Sequence, residues 1–282
     1  MAEKIAVLGA GTMGHGIAQI AAQAGFQTVL CDVDAAALSK GFAKVRENLE
    51  SGVAKGKVTA QDRDAALERL KASSDLVAAA DGVALIVEAI PERMDLKESV
   101  FRMLGEIAPP DAILATNTSS LPVSKIAASA KNPQRVIGMH FFNPPHIVKL
   151  CEIVRAQQTS EHTLARAKDM ALAMGREIIV VVDSPGFATS RLGLVIGLEA
   201  MRMLEAGVAS AEDIDRAMEL GYRHPMGPLR LTDLVGLDVR LAIAEHLYKE
   251  IGEQFRPPDI LRKMVAEGKL GKKTGQGFYK WE

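Results

Sequence analysis

Six residues, Gly9-Ala10-Gly11-Thr12-Met13-Gly14, limit what this chain can fold into more than any others. They follow the apolar run Ile5-Ala6-Val7-Leu8 at once and open an alanine-rich helical pattern that reaches Ala24, after which a second apolar run ends at Asp32. That order predicts strand, tight turn, helix, strand and acid, the arrangement that holds a dinucleotide. Gly9 allows the turn, Gly11 lets backbone amides approach a pyrophosphate, and Gly14 lets the helix lie close on the strand, with Thr12 and Met13 completing the loop. The helix N-terminus adds unpaired N–H groups and the positive end of its dipole. A carboxylate at Asp32 accepts hydrogen bonds from the adenosine ribose hydroxyls and repels a 2′-phosphate, so NAD is favoured over NADP. Glycine turns also serve plain strand-to-helix connections; the agreement of triplet, flanking elements and acid carries the reading.

With 282 residues the chain has room for two domains. Continuous apolar runs at 83–90 and 177–182 read as parallel strands buried on both faces, and shorter strands are expected at 112–115, 135–139 and 147–154. Helical spacing covers 35–54, 62–71, 95–107, 124–130 and 162–174; the first two are expected to form a hairpin projecting from the sheet, with Lys55 and Lys57 at its tip. Asp183-Ser184-Pro185-Gly186 then punctuates the chain. Beyond it, 191–204, 211–219, 231–251 and 259–267 all look helical. The expected fold class is α/β: a Rossmann-type, mostly parallel sheet with helices on both faces over 1–183, followed by an all-α domain over 184–282.

The formal net charge of −1 provides no basic footprint for nucleic acid and no polybasic membrane patch. No apolar stretch reaches the length of a membrane span. Cys31 and Cys151 are the two cysteines; neither belongs to a metal-spaced cluster, so no metal is expected and both read as buried free thiols in a reducing compartment. The first strand starts almost at Met1, leaving no room for a signal peptide, and a cytoplasmic protein is expected.

The polar run Thr116-Asn117-Thr118-Ser119-Ser120 closes the strand at 112–115, where open α/β sheets bind ligands; Ser119 or Ser120 is alternatively an N-cap of the next helix. His140 and Glu152 lie symmetrically about position 146, within the turn made by Pro144 and Pro145. A hairpin-like return brings that carboxylate beside the imidazole, where it fixes the ring tautomer and favours the imidazolium. His140 would then act as a general base toward a hydroxyl and as the acid in reverse. A single histidine near a strand end is more often structural, and spacing alone does not decide between the two.

GAGTMGHGIA at 9–18, NTSSL at 117–121, MHFFNP at 139–144, SPGF at 184–187, PMGP at 225–228 and GKKTGQGFY at 271–279 together resemble the 3-hydroxyacyl-CoA dehydrogenases, most nearly the short-chain members of about this length. The match runs in order through nearly the whole chain. The resemblance implies NAD-dependent oxidation of an (S)-3-hydroxyacyl-CoA thioester, with 3-hydroxybutyryl-CoA the expected substrate, to the 3-ketoacyl-CoA, and the reverse. It implies that His140 takes the proton of the 3-hydroxyl, that Glu152 orients His140, and that Ser119 hydrogen-bonds the reacting oxygen. Asn143 would lie near the nicotinamide, Glu92 and Lys97 would match cofactor-side positions, and Lys272 or Lys273 would reach the same side. Asn48 and Lys55 would face the CoA moiety. The family pattern usually has asparagine where this chain has Ser190, whose shorter hydroxyl reaches less far.

Two other readings use the same residues: a dehydrogenase of a free 3-hydroxy acid or sugar acid, and a noncatalytic NAD-binding protein that keeps the fold. Leu192, Leu194, Val195, Ile196 and Leu198 are more apolar residues than one helix face can bury, so a homodimer is expected, with the helical domain supplying the interface.

Overall fold

Eight strands form one sheet in the computed structural model, which describes residues 3–282; Met1 and Ala2 lie outside the described residues. Two compact units divide the chain, one ending at Asp183 and the other beginning at Ser184. In the first, β1 (Lys4–Leu8), α1 (Gly14–Gln23) and β2 (Gln27–Cys31) are followed by α2 (Ala35–Ala54), α3 (Ala60–Arg69), β3 (Leu70–Ser73) and α4 (Leu76–Ala80). Next come β4 (Leu85–Glu88), α5 (Met94–Ile107), β5 (Ile113–Thr116), α6 (Val123–Ser129) and β6 (Val136–Phe141). The unit closes with β7 (Leu150–Arg155), α7 (Glu161–Ala173) and β8 (Glu177–Val182). The strand order is β3-β2-β1-β4-β5-β6-β7-β8. Only β6 and β7 run antiparallel among the described strands.

The central strands are apolar on both faces because helices cover both. Ile5, Val7, Leu85 and Val87 join Ile17, Ala21, Val45 and Leu49 in one core cluster. Helix starts follow capping chemistry: Asp34 accepts from the Ala36 and Ala37 N–H groups, and Ser160 from that of Thr163. The 35–54 helix has its predicted bounds. Its hairpin with α3 packs Val45, Leu49 and Ala66 into the core, and Lys55 and Lys57 are exposed at the tip.

Several expectations need correction. The helix predicted at 62–71 ends at Arg69, and Leu70–Ser73 pairs with β2 as an unpredicted strand. Leu-Lys-Ala-Ser has no strand pattern of its own; only Leu70 is buried, and the open edge of β2 supplies the order. The strand predicted at 147–154 starts at Leu150, because the Ile147 and Val148 N–H groups turn back onto the Pro144 carbonyl while Arg176 Nη1 holds the Pro145 and Val148 carbonyls at 2.9 Å. The helix predicted at 231–251 is two helices broken at Gly236, whose φ of +106° is outside helical space.

The second unit holds α8 (Thr189–Glu205), α9 (Ala211–Arg216), α10 (Pro228–Val235), α11 (Leu237–Glu250) and α12 (Asp259–Ala266) around Leu194, Leu198, Met201, Leu229 and Leu247. A π turn at Ala217–Gly221 continues α9, so the α-helix predicted to 219 stops at Arg216. Buried Asp233 fastens the C-terminal turn by accepting from the Phe278 and Tyr279 N–H groups and from the Trp281 indole.

The glycine loop combines two tight approaches with one open position. A Cβ on Gly9, at φ +95°, would lie 2.5 Å from the Ala89 carbonyl oxygen, and one on Gly14 would lie 1.7 Å from that of Gly9. A Cβ on Gly11 would meet nothing within 4 Å. Gly14→Ala is therefore expected to destabilise the protein by about 3 kcal/mol or more. Gly11→Ala should leave thermal unfolding almost unchanged and weaken dinucleotide binding instead. Melting curves of the two variants check this, and equal stability of both would contradict it.

Candidate active site

The carboxyl ends of β1, β2, β4, β5 and β6 meet where the sheet order reverses beside β1, the position at which open α/β sheets bind nucleotides. A cavity of about 640 Å³ lies there, lined by Gly11, Thr12, Met13, Asp32 and Val33 among others. Asp32 is fixed through both oxygens: Oδ2 accepts from the Ala10 N–H at 2.7 Å and Oδ1 from the Asp34 N–H at 3.0 Å. The remaining lone pairs can accept from a ribose diol. No side chain caps the start of α1, so its N–H groups are available to a pyrophosphate above open Gly11. Crowded Gly9 and Gly14, open Gly11 and the oriented acid together fit a dinucleotide.

A second cavity of about 320 Å³ is lined by Glu92, Lys97, Ser119, His140 and Asn143, with Met13 shared between the two cavities. His140 and Glu152 are directly opposed in the antiparallel β6–β7 register. Their Nδ1 and Oε2 atoms are 2.7 Å apart, and Glu152 has no exposed surface. An ionised carboxylate only accepts, so this contact places the proton on Nδ1 and makes Nε2 the basic nitrogen. Phe142 packs on the imidazole with ring centroids 4.4 Å apart. Asn117 Oδ1 accepts from the Phe141 N–H at 2.9 Å, joining the loop after β5 to the strand end that carries His140.

Glu92 organises the serine loop. Its Oε1 accepts from Thr118 Oγ1 at 2.5 Å and from the Ser119 N–H at 3.0 Å, and the Ser120 hydroxyl donates to the same atom. Burial pushes the Glu92 carboxyl up, but the Thr118 hydroxyl, the Lys97 ammonium and the Ser119 amide outweigh it and hold it below the ordinary value. The capping alternative for Ser119 and Ser120 does not hold, since α6 starts after Pro122 with no side-chain cap. Lys97 is 1% exposed, with Nζ 2.6 Å from Glu88 Oε1 and 3.4 Å from Glu92 Oε2.

Asn48 donates to Gln19 Oε1 at 3.1 Å, and Lys55 is exposed at the end of α2. Ser190 is in the first turn of α8, within the second unit. Lys273 belongs to that unit too, and its ammonium is held by both oxygens of Asp238 at 2.5 and 2.6 Å. Burial pushes the Cys31 thiol up to about 11 and the Cys151 thiol up to about 12, so both are inert thiols. Among the described residues no group of histidine, cysteine and carboxylate side chains is placed to hold a metal ion, and no helix is long and apolar enough to cross a membrane.

Sequence reasoning passed over Glu88 and gave Asn117 and Thr118 no role beyond their place in the polar run 116–120. For Glu88 the signal was present: a carboxylate at the end of a run of strand residues buried on both faces demands a cation, and Lys97 follows one helical turn into α5.

Residues 4–184 match the family model for the 3-hydroxyacyl-CoA dehydrogenase NAD binding domain, and residues 186–281 match that for the 3-hydroxyacyl-CoA dehydrogenase C-terminal domain. The chain is 42% identical over 280 residues to a 3-hydroxybutyryl-CoA dehydrogenase of Mycobacterium tuberculosis, covering 98% of each. It is 44% identical over 281 residues to a probable 3-hydroxybutyryl-CoA dehydrogenase of Bacillus subtilis, covering 99% of this chain and 98% of that one. The crystal structure of an (S)-3-hydroxybutyryl-CoA dehydrogenase from Ralstonia eutropha superposes with a TM-score of 0.95 at 40% identity, covering 100% of both chains.

Proposed function

The chain belongs to the 3-hydroxyacyl-CoA dehydrogenase family, and from that premise we propose that it interconverts (S)-3-hydroxybutyryl-CoA and acetoacetyl-CoA with NAD. The observation that carries the reading is the buried His140–Glu152 pair at the wall of the cavity that Ser119 and Asn143 also line.

When bound, NAD supplies the nicotinamide carbon that accepts hydride from C3 of the substrate. Gly9, Gly11, Thr12, Met13, Gly14 and Asp32 hold its adenosine diphosphate half, and Glu92, Lys97, Ser119 and Asn143 its nicotinamide half. His140 Nε2 takes the proton of the 3-hydroxyl as C3 is oxidised. The ring becomes an imidazolium, and the buried Glu152 carboxylate at 2.7 Å stabilises that charge. Ser119 donates to the oxygen that becomes the carbonyl, lowering the energy of the charge that develops on it. In the reducing direction imidazolium His140 returns the proton to that oxygen.

The CoA end is strongly anionic and the protein's net charge is only −1, so local cations have to attract it. Exposed Lys55 at the tip of the α2–α3 hairpin is placed in solvent for that task, with Asn48 on the same helix. Ser190 contributes less than an asparagine at that position would, and Lys273 reaches a cofactor only by giving up Asp238. Leu192, Leu231, Leu234, Val235 and Val239 are exposed apolar residues on α8, α10 and α11, and covering them supports a homodimer formed through the second unit. Two buried, unpaired thiols suit a reducing, cytoplasmic setting.

Oxidation of NADH, followed by absorbance with acetoacetyl-CoA, longer ketoacyl-CoAs and free acetoacetate, tests the substrate. Turnover of acetoacetyl-CoA with NADH, and much less with NADPH or free acetoacetate, is expected; equal rates with the free acid would overturn the thioester reading. His140→Ala should lower turnover by about 10²- to 10⁴-fold and Ser190→Ala by less; equal losses would overturn that ranking. Light scattering should find the mass of two chains, and a single-chain mass would contradict the dimer.

A further inference from the structure

The carboxylate at the end of β4 has work that its place in the sheet does not explain. Glu88 is fully buried, and all of its acceptor contacts run to parts of the 320 Å³ cavity's wall or its supports. Oε1 accepts from Lys97 Nζ at 2.6 Å and from the Ile90 N–H at 2.8 Å, while Oε2 accepts from Thr116 Oγ1 at 2.7 Å. The Glu88 backbone carbonyl accepts from the Asn117 N–H at 2.8 Å, and Asn117 in turn holds the Phe141 amide beside His140. One residue thus connects α5, the segment after β4, the end of β5 and the loop that carries Ser119.

The two carboxylates beside Lys97 are unequal. Lys97 lies close to Glu88 at 2.6 Å and farther from Glu92 at 3.4 Å. Because Glu88 takes the short contact, Glu92 keeps Oε1 for Thr118 and Ser119 while Oε2, only loosely paired, stays available on a residue that lines the cavity. A buried ion pair is a poor source of stability compared with apolar packing, so its presence at this point asks for another benefit. Without the Glu88 charge the ammonium has one carboxylate left, and moving onto Glu92 draws that group away from the serine loop.

We propose that Glu88 is a positioning residue for the nicotinamide half of the cofactor site: it anchors Lys97 so that Glu92 and the Ser119 loop keep the arrangement that receives NAD. The inference rests on the dehydrogenase reading above, since Glu92, Lys97 and Ser119 are assigned to the cofactor there. The demand is for three acceptor bonds at one side chain, which a carboxylate meets and an amide, with one acceptor oxygen and one donating NH₂, does not.

The test is the NADH dissociation constant of Glu88→Gln, read by fluorescence titration well below the melting temperature, together with the KM values for NADH and acetoacetyl-CoA. A fivefold or greater weakening of NADH binding and a matching rise in the NADH KM, larger than any rise in the acetoacetyl-CoA KM, are expected. A smaller change in NADH binding, or an equal rise in both KM values, overturns the proposal and leaves Glu88 a structural residue. If Glu88→Gln does not fold, Glu88→Asp decides by the same criteria, because it keeps the charge that compensates Lys97 and shortens the reach that spans Lys97 and Thr116. The titration needs no turnover, so an unsubstituted protein that binds NADH but does not reduce acetoacetyl-CoA would count against the dehydrogenase reading alone.

Discussion

A carboxylate with no exposed surface has to find a proton donor inside the protein, and Glu152 finds the imidazole of His140. That contact exists because one pair of strands departs from the parallel rule of its sheet. Parallel neighbours are joined by long crossovers, whereas the turn through Pro144 and Pro145 sends β7 straight back along β6 and sets residues 140 and 152 opposite each other. Arg176 clamps the carbonyls of that turn, and Asn117 clamps the strand end from the other side. The acid–base pair is thus held by backbone register, which is stiffer than any loop.

Four carboxylates divide the work by environment. Asp32, tied to two backbone amides, keeps lone pairs that can accept from a ribose diol. Glu92 gathers the serine loop and stays ionised because a hydroxyl, an ammonium and an amide outweigh its burial. Glu88 and Glu152 are buried completely and each answers a nitrogen: a lysine in one case, a histidine in the other. On the function proposed here the first two serve binding and Glu152 the proton, while Glu88 anchors the Lys97 beside Glu92.

Much of this was legible in the sequence where one local rule decides the outcome. The continuous apolar run at 83–90 marked central β4, the 35–54 spacing marked α2, and symmetry about position 146 marked the opposition of His140 and Glu152, whereas the run at 177–182, read as buried on both faces, is the largely exposed edge strand β8. The parts that escaped depend on partners distant along the chain. Leu70–Ser73 is a strand only because β2 has an open edge, and the helix read across 231–251 breaks because Gly236 adopts a φ that periodicity cannot register. The partners of lysines are equally hidden: nothing in the sequence pairs Lys273 with Asp238, 35 residues earlier, or shows that the Lys97 ammonium is anchored on Glu88.

The central claim is that Glu152 works on His140 as a carboxylate, fixing the proton on Nδ1 and leaving Nε2 to act on substrate. Glu152→Gln tests it most directly, since an amide of the same shape can donate to Nδ1 and reverse the tautomer. Acetoacetyl-CoA reduction by this variant should fall by about 10²-fold or more, with NADH binding within twofold of the parent. Turnover retained within a few-fold, in a variant that binds NADH normally, would contradict the account.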